Sequence, residues 1–154
     1  MQRGLNHVSV IVDDLEESLR FYVDELGLTP VPTPDFGFPV IWLQAGEQQV
    51  HLFDRPGDAP SHAHFALQID DFMPVYVRMK ELGRLDHDTF GNSMYELPDG
   101  SMQMYVRDPA HNLIELDYPD ASLIPRDDVP EYKRLADMRP QDGEHARATL
   151  WSRD

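Results

Sequence analysis

The 154-residue chain contains no cysteine. Disulfides, thiolate metal sites and thiol nucleophiles are thereby excluded, and any metal must be held by nitrogen and oxygen. Positive charge is also scarce. Against 28 Asp and Glu stand 13 Lys and Arg, a formal charge of −15 with neutral histidines, and lysine occurs only at Lys80 and Lys133. So acidic a surface repels a phosphate backbone, and no nucleic-acid partner is expected. The preference for arginine over lysine fits either a GC-rich coding bias or adaptation to high salt. Long apolar runs are missing as well. None approaches the roughly 20 residues of a membrane-spanning helix, and the opening MQRGLNHVSV lacks the apolar core of a signal peptide. A cytoplasmic protein without membrane contact is therefore expected. What is present, 41% apolar and 10% aromatic residues, suffices to bury a core in one compact domain or two small repeats.

The chain repeats itself. Residues 7–15 read HVSVIVDDL and residues 64–72 read HFALQIDDF. In each copy a histidine opens an apolar strand, an Asp-Asp pair ends it, and a helical stretch closes with ELG, at Gly27 and at Gly83. The first stretch from histidine to glycine is longer by a single residue. Leu15, Leu19, Tyr22 and Leu26 form a helical stripe that Asp14 caps, with Glu17 at the capping-box position. Phe72, Val75, Met79 and Leu82 form the second, with Asp71 as cap and Pro74 in the first turn. Strand-like stretches follow each helix: PVIWLQ and QVHLFD, then SMYEL, MQMYVRD and NLIELDY, separated by turn signals such as Pro98-Asp99-Gly100. Each unit thus reads as strand, helix and about three strands. From about Ala121 the chain is rich in Pro, Asp and Arg, with one short helix around Glu131–Met138. Leu150 and Trp151 leave two readings, a docked tail or a solvated one.

Side chains alternate along a strand, so His7 shares a face with Leu5, Ser9 and Ile11, while Val8, Val10 and Val12 point under the helix. In the matching strand His62, His64, Ala66 and Gln68 oppose Phe65, Leu67 and Ile69. Gln49, His51 and Phe53 oppose Val50 and Leu52; Leu113, Glu115 and Asp117 oppose Ile114 and Leu116. The repeat relates His7 to His64 and His51 to Glu115. If the units pair about a pseudo-twofold, His7, His64 and Glu115 supply two imidazoles and a carboxylate with open positions, which suits Fe(II), Mn, Co, Ni or Zn in a catalytic rather than a closed structural site. His62 falls at the strand mouth, and His87, His111 and His145 fall in exposed loops. The acidic pairs Asp13-Asp14, Asp70-Asp71 and Asp127-Asp128 read as caps and solvated surface.

Three stretches, GLNHVSVIVDDLEESLRFYVDELGL, HAHFALQIDDF and MYVRDPAHNLIEL, resemble the vicinal oxygen chelate superfamily, also called the glyoxalase, bleomycin-resistance and dioxygenase fold, over about residues 4–118. The resemblance implies an α+β protein. Two βαβββ modules, about 4–56 and 61–118, would form a U-shaped mixed-sheet half-barrel around a metal cleft, and residues 119–154 would be a C-terminal extension. It further implies a homodimer and a small-molecule substrate that chelates a divalent metal through neighbouring oxygens. Carried over residue by residue, His7, His64 and Glu115 match the metal ligands. His51 matches either the remaining ligand of glyoxalase-type isomerases or the acid/base histidine of extradiol dioxygenases. Tyr105 matches a tyrosine beside the substrate, Ser9 a substrate-contacting hydroxyl, and Gln49 joins them as a substrate contact. Two departures stand out: His111 replaces the glycine of the DPxG motif, and GNSMYELPDG lacks the cations a fosfomycin enzyme needs. The activity expected first is an Fe(II) extradiol ring-cleaving dioxygenase acting on a catechol-type substrate, with His51 and Tyr105 catalytic. The alternative is a glyoxalase I-like isomerase or lyase using Ni, Zn or Co. Further alternatives are a non-catalytic bleomycin-type drug-binding protein and a fosfomycin-resistance transferase.

Overall fold

The computed structural model describes residues 4–150, so Trp151 lies outside the described residues. Two compact units are present, Met1–Phe65 with Arg107–Leu113, and Ala66–Val106 with Ile114–Asp154. The element order is βαβββ twice over, an α+β chain of tandem modules as the repeat predicts.

In the first sheet the order is β1-β4-β3-β2, with β1 at His7–Val12, β2 at Thr29–Val31, β3 at Val40–Ala45 and β4 at Gln48–Asp54. The helix between β1 and the later strands makes β1 parallel to β4, whereas β3 pairs antiparallel with both neighbours. Val12, Leu43, Val50 and Leu52 are buried, as the alternation requires.

Helix α1 (Leu15–Arg20) starts where Asp14 accepts the Glu17 backbone N–H at 2.8 Å. It then widens into a π-helical turn over Phe21–Glu25, with the Leu26 N–H reaching the Phe21 carbonyl at 3.3 Å, and stops at Gly27, whose φ of +73° suits glycine. The π turn takes up the extra residue of the first repeat. It also corrects the uniform stripe expected over Leu15–Leu26, because the wider turn rotates Phe21 and Tyr22 into the core while Leu15, Leu19 and Leu26 stay half-buried.

Tyr22 donates its hydroxyl to the Asp108 carboxylate at 2.9 Å. That carboxylate also accepts the Asn112 backbone N–H at 2.7 Å and its side-chain amide at 2.8 Å, and the same amide donates to the Ile11 carbonyl at 2.8 Å. The Asp108–His111 turn closes without glycine, with the His111 N–H on the Asp108 carbonyl at 3.0 Å and His111 at φ +65°. A left-handed conformation costs an L-residue about 1–2 kcal/mol, partly offset by the greater entropy glycine loses on folding. His111→Gly is therefore expected to stabilise the chain by about 0.5 kcal/mol; a lower midpoint in urea would contradict this.

The second sheet has the order β5-β8-β7-β6, with β5 at His64–Gln68, β6 at Met94–Glu96, β7 at Met102–Arg107 and β8 at Leu113–Tyr118. Helix α2 (Phe72–Glu81) buries Phe72, Tyr76 and Met79, rather than the expected Val75 and Leu82 with Phe72 and Met79: Val75 is half-buried and Leu82, at the helix end, is exposed. Asp71 occupies the N-cap position without a side-chain capping bond, another departure from expectation.

The C-terminal extension docks on this unit. Its helix α3 is only Leu135–Met138, shorter than the expected Glu131–Met138, because the preceding residues run beside edge strand β6 instead. The Glu96 N–H donates to the Lys133 carbonyl at 2.8 Å, and the Glu96 carboxylate takes Arg126 at 3.0 Å, Arg134 at 3.3 Å and the Tyr132 hydroxyl at 2.5 Å. Ala121, Ile124 and Val129 are buried, and the Leu150 N–H reaches Asp99 at 3.1 Å. An otherwise open sheet edge is covered in this way. Among the described residues no helix is long and apolar enough to cross a membrane.

Candidate functional site

Register assembles the polar face of the first sheet. His7 lies opposite Gln49 and Ser9 opposite His51 across β1 and β4, and Trp42 lies opposite His51 across β3 and β4. The His51 ring is stacked between His7, at 4.3 Å between centroids, and Trp42, at 4.4 Å. Phe36, Phe38 and Phe53 extend the ring array, with Phe36 5.9 Å from Trp42 and Phe38 5.7 Å from Phe53. His51 is only 5% exposed; burial, with the neighbouring His7 adding to it, lowers its pKa and keeps the ring neutral.

Hydrogen bonds distinguish the three histidines. Nδ1 of His7 faces the Asn6 side-chain oxygen at 2.9 Å, and Nδ1 of His64 faces the His62 carbonyl at 2.8 Å. An oxygen acceptor at Nδ1 makes that nitrogen the proton carrier and Nε2 the lone-pair atom, the tautomer in which imidazole binds a metal through Nε2. In His51 it is Nε2 that meets an acceptor, the Gln49 Oε1 at 2.9 Å. His7 and His64 thus share one arrangement, with Nδ1 against an oxygen, and His51 has the other, with Nε2 against one.

Face alternation in the second unit meets a different environment. Both faces of β8 are buried, so Glu115 and Asp117 are 4% and 6% exposed rather than open to solvent. Gln103 donates Nε2 to Glu115 Oε1 at 2.5 Å and accepts the Tyr105 hydroxyl at 3.3 Å, and Tyr105 also bonds Glu115. Burial, reinforced by a hydrogen bond to Glu115 and by its charge, pushes the Asp117 carboxyl well above the usual carboxylate range. Burial and the Glu115 charge likewise keep Tyr105 a neutral phenol. Glu115 thus shares hydrogen bonds with Gln103, Tyr105 and Asp117.

Of the residues singled out from the sequence, His7, Ser9, Gln49 and His51 share one neighbourhood, and Tyr105 and Glu115 share another. Among the described residues no group of three or more His, Asp and Glu side chains is gathered to hold a metal ion. Imidazole nitrogen and carboxylate oxygen, the donor types these residues offer, are nevertheless ones that suit a divalent cation. His62, His87, His111 and His145 are exposed, as expected. Sequence reasoning overlooked Trp42 and Gln103. Gln103 lay within reach, since it precedes Tyr105 by two residues and so shares its face; Trp42 required the strand register.

A family model described as the Glyoxalase/Bleomycin resistance protein/Dioxygenase superfamily matches residues 4–116. Over 92 residues the chain is 29% identical to the mitochondrial methylmalonyl-CoA epimerase of Bos taurus, covering 50% of this chain and 53% of that protein. It is also 29% identical over 90 residues to Glyoxylase I 4 of Arabidopsis thaliana, covering 52% of each. The chain spans about half the length of the curated relatives it matches. Among solved structures, a lactoylglutathione lyase from Agrobacterium tumefaciens superposes with a TM-score of 0.58 at 25% identity, covering 77% of this chain and 95% of that one.

Proposed function

Because the chain belongs to the Glyoxalase/Bleomycin resistance protein/Dioxygenase superfamily, we propose that it is a divalent-metal-dependent enzyme that moves a proton at a carbon beside a carbonyl, in the manner of an isomerase or glyoxalase-type lyase. In this reading His7, His64 and Glu115 hold the metal. The observation that carries it is the repeat-related pair His51 and Glu115, both buried and each tethered to a glutamine, at 2.9 Å and 2.5 Å. The resemblance to an epimerase and to a lactoylglutathione lyase supports proton transfer over oxygen chemistry.

A divalent metal held by His7, His64 and Glu115 would supply Lewis acidity, which would make a carbon beside a carbonyl more acidic. His51, neutral and packed between rings, accepts or returns the proton. Tyr105, a phenol, donates a hydrogen bond to substrate oxygen as charge develops there. Ser9 and Gln49 orient the substrate beside His51, and the ring array of Trp42, Phe36 and Phe38 excludes water from its apolar part.

The experiment is solvent-deuterium exchange followed by NMR. Protein loaded with Mn(II), Co(II), Ni(II) or Zn(II) is incubated in heavy water with hemithioacetals of 2-oxoaldehydes and with 2-methyl-3-oxo thioesters. Deuterium is expected at the carbon beside the carbonyl, and His7→Ala and Glu115→Ala should each abolish its uptake. Tyr105 beside a metal-binding carboxylate also supports the dioxygenase reading. Ring cleavage of a catechol by the Fe(II) protein in air, without exchange on either carbonyl substrate, would replace the isomerase by that enzyme.

A further inference from the structure

We propose that Arg55 is a specificity-determining residue of the first module, selecting substrates that carry a pair of anionic oxygens, carboxylate or phosphate, at the far end of an apolar body. The reacting end of such a substrate is placed by the reading of His51 as the proton-transferring group. On β4, His51 is followed on the same face by Phe53, and Arg55 comes just past the end of the strand. Phe53 and Arg55 both contact Phe38, so they lie on one side. Four residues of extended chain set Arg55 about 13 Å along from His51. Rings line that interval. Trp42 covers His51 at 4.4 Å, Phe36 stands 5.9 Å from Trp42, Phe38 stands 6.0 Å from Phe36, and the Arg55 guanidinium lies 3.9 Å from the centre of the Phe38 ring. An apolar track thus runs from a base to a cation. Its middle is accessible, for Phe36 is 48% exposed, and so is its end at Arg55.

Charge decides what the track admits. The chain carries a formal charge of −15, a field that repels anions and draws cations. A bare aromatic track would therefore favour a cationic ligand. Arg55 reverses that preference, because it already covers the Phe38 ring and presents a like charge to any second cation. Among the described residues the guanidinium has no ion pair, so its planar fork is available to two oxygens of a ligand.

The test is binding to the full chain, metal-free in a chelator at low salt, followed by NMR titration. The probes share one apolar body: ω-phenylhexanoate, its primary amide, ω-phenylhexylamine and ω-phenylhexyl phosphate. With the metal removed, a carboxylate cannot bind by ligating it. Both anions are expected to bind about 10-fold tighter than the amide, the effect of one charge-assisted contact, and the amine weakest of all. Arg55→Met, which keeps an apolar stem over Phe38, should bring the anions to the affinity of the amide. Arg55→Lys should recover part of the preference. Trp42→Leu should weaken all the probes by a similar factor and keep their order, which an arginine acting apart from the track would not produce. Anions no tighter than the amide in wild type, or a preference that survives in Arg55→Met, would overturn the proposal. So would self-association of the wild type that Phe36→Asp abolishes and that shuts the probes out, since the track would then hold a second copy of the chain. An Arg55-dependent preference without deuterium exchange on any carbonyl substrate would leave the anion site in place and remove the proton-transfer reading.

Discussion

Asp108→Ala is expected to destabilise the protein by about 3–5 kcal/mol, the range seen when one member of a buried charged network is removed. The carboxylate is completely buried and is held there by the Tyr22 hydroxyl and by two N–H groups of Asn112. Burial raises its pKa, and these bonds pull it back down. Alanine removes the acceptor and leaves the donors in place. The Tyr22 hydroxyl and the Asn112 backbone N–H would then be buried without a partner, each at about 1–3 kcal/mol. For a chain of this length a loss of that size lowers the melting temperature by about 10 °C or more. Tyr22→Phe alone should cost about 1–2 kcal/mol, and the double variant less than the sum, because both substitutions act on one bond. Urea unfolding of the four proteins measures this. A loss below about 1 kcal/mol for Asp108→Ala would mean that the turn is not held as described.

That network also shows what the sequence could and could not reveal. The extra residue in the first repeat was visible. Its conversion into a π turn was not, because the turn is stabilised by Tyr22 reaching an aspartate far along the chain, and local periodicity contains no such partner. The shared face of His7, Ser9, His51 and Gln49 was legible, since alternation is a local property of strands and the repeat presents it twice. On β8 the same alternation correctly separated Glu115 and Asp117 from Ile114 and Leu116, yet it could not show that the polar face is buried, which depends on Gln103 and Tyr105 of another strand. Composition was equivocal on the extension. The arginines that make it look solvated, Arg126 and Arg134, are the ones that clasp Glu96.

Asp117→Asn is expected to change how stability depends on pH. The unfolded chain releases the Asp117 proton in the ordinary carboxylate range, near pH 4. In the folded protein burial and the adjacent Glu115 charge raise that pKa to about 8. Between the two values the folded state binds more protons than the unfolded one, so wild-type stability falls as pH rises through this window. The asparagine amide can donate to Glu115 where the carboxyl proton did, and it does not ionise. In metal-free protein kept in a chelator, Asp117→Asn should therefore gain about 2–4 kcal/mol on wild type between pH 5 and pH 8. The metal must be absent because a cation on Glu115 would itself lower the carboxyl pKa values around it. Parallel stability curves for the two proteins over that range would show that Asp117 ionises in the folded state as it does in the unfolded one, and that Glu115 does not depend on its proton.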